Sequence, residues 1–408
     1  GHNYAPTAQT FDWGNISVAE PEKWQKTASG SKRVTLYDGI ALTINNYVVT
    51  GQTDGDYEYG LSTNETTTTT TPGATTVVAS KIYFDRNKYQ NSKVEIDTGA
   101  LPTSIYSSPY YKKYYGGTST LGNIPNHNTL ILKGSAAPSG CYFIGGWAQG
   151  AGDATDNTVE LTETAEAYSN GWYGTGVYGG FSQGGKATDN TVVLKGKIPN
   201  GVTNLYGGYS VAGKDATSGN TLKVQSKDNQ AYSINNFEKM EFTLNNVSSG
   251  DTMLKVGHNY APTAQTFDWG NISVVGLSDW VTALSAAGVN DPTLTLYQGV
   301  GLILNDYAPR LIGNAGDYEF GTFANGTLAS GTMMGATQIK LAGNKFQNVT
   351  SPVVDTATTS VHGGYSSYGN TTNTNVITVN SGAYTNVRAG YTDAVKGGSD
   401  KNELTFTG

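Results

Sequence analysis

The stretch VYGGFSQGGKATDNTVVLKG, from Val177 to Gly196, decides the fold. Before it stands FIGGWAQGAGDATDNTVELTE from Phe143, and after it LYGGYSVAGKDATSGNTLKV from Leu205. Each unit joins a double-glycine strand, a Gly/Asp/Asn turn and a strand that opens on Asn. That Asn recurs at Asn128, Asn157, Asn190 and Asn220, spaced by 29, 33 and 30 residues, and again at Asn375 and Asn402. The strands it opens alternate. Leu130 and Leu132, Val159 and Leu161, Val192 and Leu194, Leu222 and Val224, Ile377 and Val379, and Leu404 and Phe406 fall on one face. Thr129, Thr158, Glu160, Lys195, Thr221, Lys223, Thr378, Glu403 and Thr405 fall on the other. Period-2 alternation means one buried and one wet face.

The double-glycine strands read YYGGTS from Tyr114, FIGGWA, VYGGFS and LYGGYS, then VHGGYS from Val361 and VRAGYT from Val387. By strict alternation their first, third and fifth positions share the core face: apolar, small, aromatic. The second position then points outward, at Tyr115, Ile144, Tyr178, Tyr206, His362 and Arg388. One unit of about 30 residues cannot bury its own face, but stacked units can. The spacing therefore predicts a parallel β-helix in which the Asn side chains stack as a ladder, with 10 to 14 coils rising about 4.8 Å each. Ig-like sandwich domains would show hairpins every 8–12 residues instead.

A larger repeat encloses the small one. Residues 1–18 and 257–274 are the same eighteen letters, GHNYAPTAQTFDWGNISV. Beyond them the copies diverge in register: Trp24 answers Trp280, TLYDG from Thr35 answers TLYQG from Thr295, and GDYEYG from Gly55 answers GDYEFG from Gly316. The domains expected are a first module, 1–256, with an irregular β-rich part over about 1–110 and regular coils over about 111–256, and a truncated second copy, 257–408. SDWVTALSAAG from Ser278 reads as a short helix with a Ser cap and a Gly stop. The threonine run 66–71 reads as an exposed loop.

Composition narrows the function classes. Charged residues are 14% and the net charge is −7, with no basic block, so nucleic-acid binding is set aside. No apolar run is long enough to cross a membrane as a helix. Cys141 stands alone, so there is no disulfide framework. A chain rich in Gly, Thr, Asn and Tyr with one cysteine fits an exported bacterial protein, and the piece is expected to belong to something longer.

The NTLxLxG strands, the YGGYS/YGGFS strands and the GGKATDN-type turns resemble the passenger regions of autotransporter adhesins and haemagglutinin-like repeat proteins of Gram-negative bacteria. The resemblance covers about residues 110–230 and 360–408. It implies secretion, a right-handed β-helix and display on the cell surface.

Candidate chemistry is sparse. Asp54, Asp56 and Glu58, and again Asp317 and Glu319, pair carboxylates as glycosidases or calcium sites do. A polar turn ahead of a strand explains them better, and Ala315 stands where the first copy has Asp54. Asp153, Asp156, Asp189, Asp215 and Asp400 sit in turns, where capping is the ordinary role and calcium the only cofactor the residue types suggest. The four histidines show no zinc spacing, and no GxSxG elbow occurs. The outward second positions Tyr115, Tyr178, Tyr206, His362 and Arg388 are the candidate ligand stripe, since stacked rings can hold sugars or a partner's apolar groups. The sequence thus leads to an extracellular adhesin or fibre segment without enzymatic activity. Its partner would be a host-cell or bacterial surface protein or glycan. The alternatives are a self-assembling surface-layer or filament protein and, less favoured, a β-helical polysaccharide-active enzyme.

Overall fold

The computed structural model describes residues 9–21, 23, 33–47, 55–62, 69–71, 74–98, 101, 112–134, 136–137, 141–162, 166–167, 175–197, 203–257, 265–308, 310–313, 316–323, 333–350, 360–380, 384–393 and 397–407. Its strands stack in parallel into a β-solenoid of about ten turns spaced roughly 29 residues apart. The Asn strands Thr129–Lys133, Thr158–Leu161, Thr191–Leu194 and Thr221–Val224 pair in register, each residue on its repeat equivalent. Lys93–Asp97 precedes them in the same sheet, and Lys239–Thr243 and Ile272–Val275 follow. Facing them, the double-glycine strands Lys112–Ser119, Cys141–Ala148, Gly176–Ser182 and Thr203–Ser210 pair likewise. Asn229–Asn235 and Thr252–Val256 extend that second sheet.

Between the two sheets lies the core. Leu130, Val159, Val192 and Leu222 meet Phe143, Val177 and Leu205, all buried in one cluster. Each such side chain stabilises the stack by about 1.5–3 kcal/mol relative to exposure. On the wet face, opposite charges pair between neighbouring coils: Lys133 with Glu95 at 2.6 Å, Lys195 with Glu160 at 2.7 Å and Lys223 with Glu241 at 3.6 Å. Such exposed pairs contribute little energy.

The Asn ladder is present. Asn128, Asn157, Asn190 and Asn220 are buried. Asn128 Nδ2 donates to Asn157 Oδ1 at 2.8 Å, Asn157 Nδ2 to Asn190 Oδ1 at 3.1 Å and Asn190 Nδ2 to Asn220 Oδ1 at 3.3 Å. The same Oδ1 atoms also accept the backbone N–H of the Asn one coil earlier. Asn375 and Asn402 repeat the arrangement at 2.7 Å. Before each ladder Asn the chain turns through the left-handed region, at His127, Asp156, Asp189, Gly219, Thr374 and Lys401. Asp tolerates that conformation better than most residues, and this accounts for the recurring Asp-Asn.

The irregular part of each copy is a small antiparallel sheet. In the first, Arg33–Asn45 pairs with Ala74–Gln90, which pairs with Asp56–Ser62. In the second, Thr293–Asn305, Met334–Gln347 and Gly316–Phe323 repeat that order. The second of these sheets is continuous with the solenoid, because Thr293–Asn305 also pairs in parallel with Thr252–Val256 of the first copy. The repeat boundary at 256/257 is therefore no break in the sheet, and one core cluster runs from Leu130 to Leu341. Two further coils follow, Ser360–Ser366 on Asn386–Thr392 and Val376–Val379 on Glu403–Phe406.

Three expectations need correction. The helix spans Leu277–Ala286, and its N-cap is Gly276 rather than Ser278, because the left-handed turn at Gly276 already brings the chain in. Thr69–Thr71 forms a short strand on Ala74–Gln90, so that part of the threonine run is no free loop; residues 66–68 lie outside the described residues, as does Trp24. The fifth position of the double-glycine strand faces outward, for a reason that belongs to the candidate site.

Candidate binding face

In the four double-glycine strands of the first copy, both adjacent glycines face the Asn ladder. A Cβ on Gly179 would stand 2.5 Å from the Gly207 carbonyl, and one on Gly180 would stand 2.5 Å from Asn190 Nδ2. Gly145 and Gly146 meet Gly179 and Asn157 in the same way. Two consecutive inward residues break the alternation, and the strand bends there. The order becomes Val177 in, Tyr178 out, both glycines in, Phe181 out, with Ser182 buried. So the aromatic fifth position, expected in the core, stands on the outer side beside the second.

Two files of side chains result. Register places Tyr115, Ile144, Tyr178 and Tyr206 in the first, and Thr118, Trp147, Phe181 and Tyr209 in the second. Rings stack along and across them: Tyr178 on Tyr206 at 4.5 Å and 6°, Phe181 on Tyr209 at 5.1 Å, and Tyr115 on Trp147 at 4.7 Å and 15°. Tyr178 meets Phe181 and Tyr209 edge to face. Contacts of this geometry add about 0.5–1.5 kcal/mol each beyond area burial.

The expected stripe residues divide into two groups. Tyr178 and Tyr206 touch, and Tyr115 joins them through Ile144. Yet Tyr178 is only 8% exposed, covered by its ring neighbours, whereas Tyr209 of the second file is 40% exposed. His362 and Arg388 are register partners in a separate two-stranded sheet, where both meet Tyr391, His362 by stacking at 5.1 Å and Arg388 over the ring at 4.2 Å. Burial, and then the charge of Arg388, hold the His362 imidazole below its ordinary pKa.

Where the first copy's antiparallel sheet meets the aromatic files, a cleft of about 520 Å³ opens. Its walls include Tyr115, Trp147, Thr118, Arg33, Asp85 and Asn87. Lys113 Nζ lies 4.9 Å from the Trp147 ring centre. Arg33 Nε stands 3.5 Å from Asp85 Oδ2, and Thr120 Oγ1 collects Arg33 Nη2 at 3.2 Å and Asn87 Nδ2 at 3.1 Å. Trp147 Nε1 and Thr118 Oγ1 are buried with no hydrogen-bond partner among the described residues. An aromatic platform beside planar amide, carboxylate and guanidinium groups suits a ring with one apolar face and hydroxyls at its rim. The sequence hid this cleft. Strict alternation put Trp147 in the core, and Arg33 and Asp85 come from the irregular part. The double glycine next to a ladder Asn was the available signal.

The paired acids have another role. Glu58 is fully buried and accepts from Ser119 Oγ at 2.5 Å, Leu121 N at 2.9 Å, Thr120 N at 2.9 Å and Asn123 Nδ2 at 3.0 Å. Glu319 repeats this with Ser366 Oγ, Ser367 N, Tyr368 N and Asn370 Nδ2. Asp56 and Asp317 each accept two side-chain amides, from Gln90 and Asn91 and from Gln347 and Asn348. Glu58 and Glu319 clamp the turn after a double-glycine strand to the antiparallel sheet, Asp56 and Asp317 fasten the end of that sheet's longest strand, and all four lie in strands rather than in a turn. Asp153 and Asp215 accept backbone N–H groups of turns. Among the described residues no three His, Cys, Asp or Glu converge as metal ligands.

Comparison with protein-family models, with curated proteins and with solved structures returns no match.

Proposed function

We propose that this chain is a segment of an extracellular bacterial surface adhesin, whose β-solenoid carries a glycan-binding cleft at Tyr115 and Trp147. The observation that carries the reading is that cleft: a stacked ring pair with two orphaned polar atoms beside Arg33, Asp85 and Asn87. Binding rather than catalysis is supported by the state of the buried acids. Glu58 and Glu319 are saturated by donors and hold loops in place, which leaves them no part in cleaving a glycosidic bond.

The test is a glycan array and a cell-binding assay with the intact chain, with Trp147→Ala and with Tyr209→Ser. Binding should fall at least about tenfold in Trp147→Ala, as the loss of a stacked platform and its rim contacts implies. Tyr178→Ser and Tyr206→Ser report on the files themselves, and the buried Tyr178 tests folding more than contact. Unchanged binding by a folded Trp147→Ala protein would overturn the proposal.

A filament role is the second reading, favoured by the sheet that passes unbroken from one copy to the next. Ordered end-to-end polymers of the purified chain with no glycan binding would favour it.

A further inference from the structure

The start of the second copy caps the last coil of the first. Thr252–Val256 pairs with Thr293–Asn305, and Lys239–Thr243 pairs with Ile272–Val275. Trp280 Nε1 donates to the Val247 carbonyl across the same junction at 2.8 Å. Among the described residues, the equivalent edge of the first copy has only Thr10–Asp12, paired at Thr43–Asn45. Along Val34–Gly39 no described strand pairs with the rest of that edge.

Burial follows this difference. Val34 and Leu36 are 37% and 39% exposed, whereas their counterparts Leu294 and Leu296 are at 1% and 0%. Phe11 is 39% exposed, and Phe267, the same residue of the identical repeat, is at 1%. Ile40 and Val300 are exposed in both copies, so the change is confined to what the preceding coil covers. Ile272–Val275 is a strand, while Ile16–Val18, identical in sequence to its first three residues, forms none.

A glycine gives an independent sign. A Cβ on Gly299 would stand 2.1 Å from the Val256 carbonyl oxygen, so the close approach of the preceding coil requires glycine there. Gly39 holds the same place in the first copy, where a Cβ would meet first the movable end of the Tyr37 side chain, its hydroxyl at 3.1 Å. Among the described residues no backbone presses on Gly39 as Val256 presses on Gly299.

We infer that the open edge formed by Val34–Gly39, Phe11 and Ile16–Val18 is a docking surface for the terminal coil of another module. The occupant is a coil of the kind built by Lys239–Thr243 and Thr252–Val256, presenting the equivalents of Met240, Phe242, Leu254 and Val256. The fit is set by the interface that already exists between the two copies. Glu403–Phe406, at the far end of this chain, belongs to a different coil.

The test fuses a second copy of residues 112–256 directly ahead of Gly1 in the full chain. Because residues 1–18 repeat 257–274, the fusion recreates the natural junction letter for letter. Hydrogen exchange of peptides from 33–45 is compared with and without the extension. Docking should slow the edge amides on the order of 100-fold, toward the rates of 293–305. Gly39→Ala should abolish that slowing in the fused chain and leave the unfused chain unchanged. Exchange at 33–45 that ignores the extension, in a chain whose added coils are themselves protected, would overturn the inference. So would concentration-dependent protection of 33–45 in the unfused chain, which would make a second copy of this chain the occupant.

Discussion

Residues 270–274 and residues 14–18 are the same five amino acids, GNISV, in two settings. In the second copy Ile272–Val275 forms the edge strand of a seven-stranded sheet, and Ile272 is buried. In the first, Ile16–Val18 lies on no strand among the described residues and stays partly exposed. Local propensity is equal by construction, so the neighbouring coil makes the difference. In a solenoid a strand is half of an interface, and its stability comes from the coil beneath it as much as from its own residues.

The sharpest way to break that comparison is to remove a paired leucine. Leu296→Ala, at a fully buried site, should cost about 3 kcal/mol. Leu36→Ala, at the equivalent exposed site, should cost less than about 1 kcal/mol. Denaturant unfolding of the two variants checks it, and equal losses would mean that the two edges are equally covered.

The carboxylate clamps should behave in the opposite way, since the two copies build them alike. Glu58→Gln and Glu319→Gln each replace one acceptor oxygen by a donor amide amid groups that already donate. Each should lose about 2 kcal/mol, with no difference between copies beyond about 0.5 kcal/mol. A clear inequality would show that the sheets differ in more than their outer edges.

The smallest expected effect is a pH dependence in the second copy, where His362 replaces the tyrosines found in the first. Burial, and then Arg388, depress its pKa from 6.5, against opposing pulls from Asp291 and Asp393. The folded state thus favours the neutral ring. Its contribution is present above the ordinary imidazole pKa and is lost as pH falls from there through the folded value. Melting curves of the chain and of His362→Gln should converge at higher pH and differ in slope below pH 6.5. Parallel slopes would place His362 in an environment no different from water.

Much of this was legible because it repeats. The Asn spacing announced the ladder, and Val159/Leu161 and Val192/Leu194 announced the core face. The double-glycine strand misled, since period-2 counting assumes that every residue flips, and a pair of side-chain-free residues against Asn190 need not. That single slip moved Trp147 and Phe181 from the outer face to the core and concealed the cleft. The clamps were hidden for another reason. Glu58 reads as one more polar residue until Ser119 and Leu121, some sixty positions away, are seen to point at it. The open edge could not be read at all, because Phe11 and Ile16–Val18 are the same letters in the copy where it is closed, and Val34–Gly39 differs from its counterpart only at Val34 and Asp38.

The most direct test of the central claim, that the second copy stacks on the first in unbroken register, is a cross-strand disulfide. Lys255 and Gln298 are register partners across the repeat boundary. Neighbouring strands lie about 4.8 Å apart, within the Cα separation a disulfide bridges. Lys255→Cys with Gln298→Cys should oxidise to an intramolecular bond as readily as the control pair Lys223→Cys with Glu241→Cys, which are partners inside the first copy. Cys141 is buried and its thiol pKa is pushed up by that burial, so it should not compete. Closure of both pairs is the expected result. Closure of the control alone, with the 255/298 thiols left free, would mean that the copies fold as separate bodies.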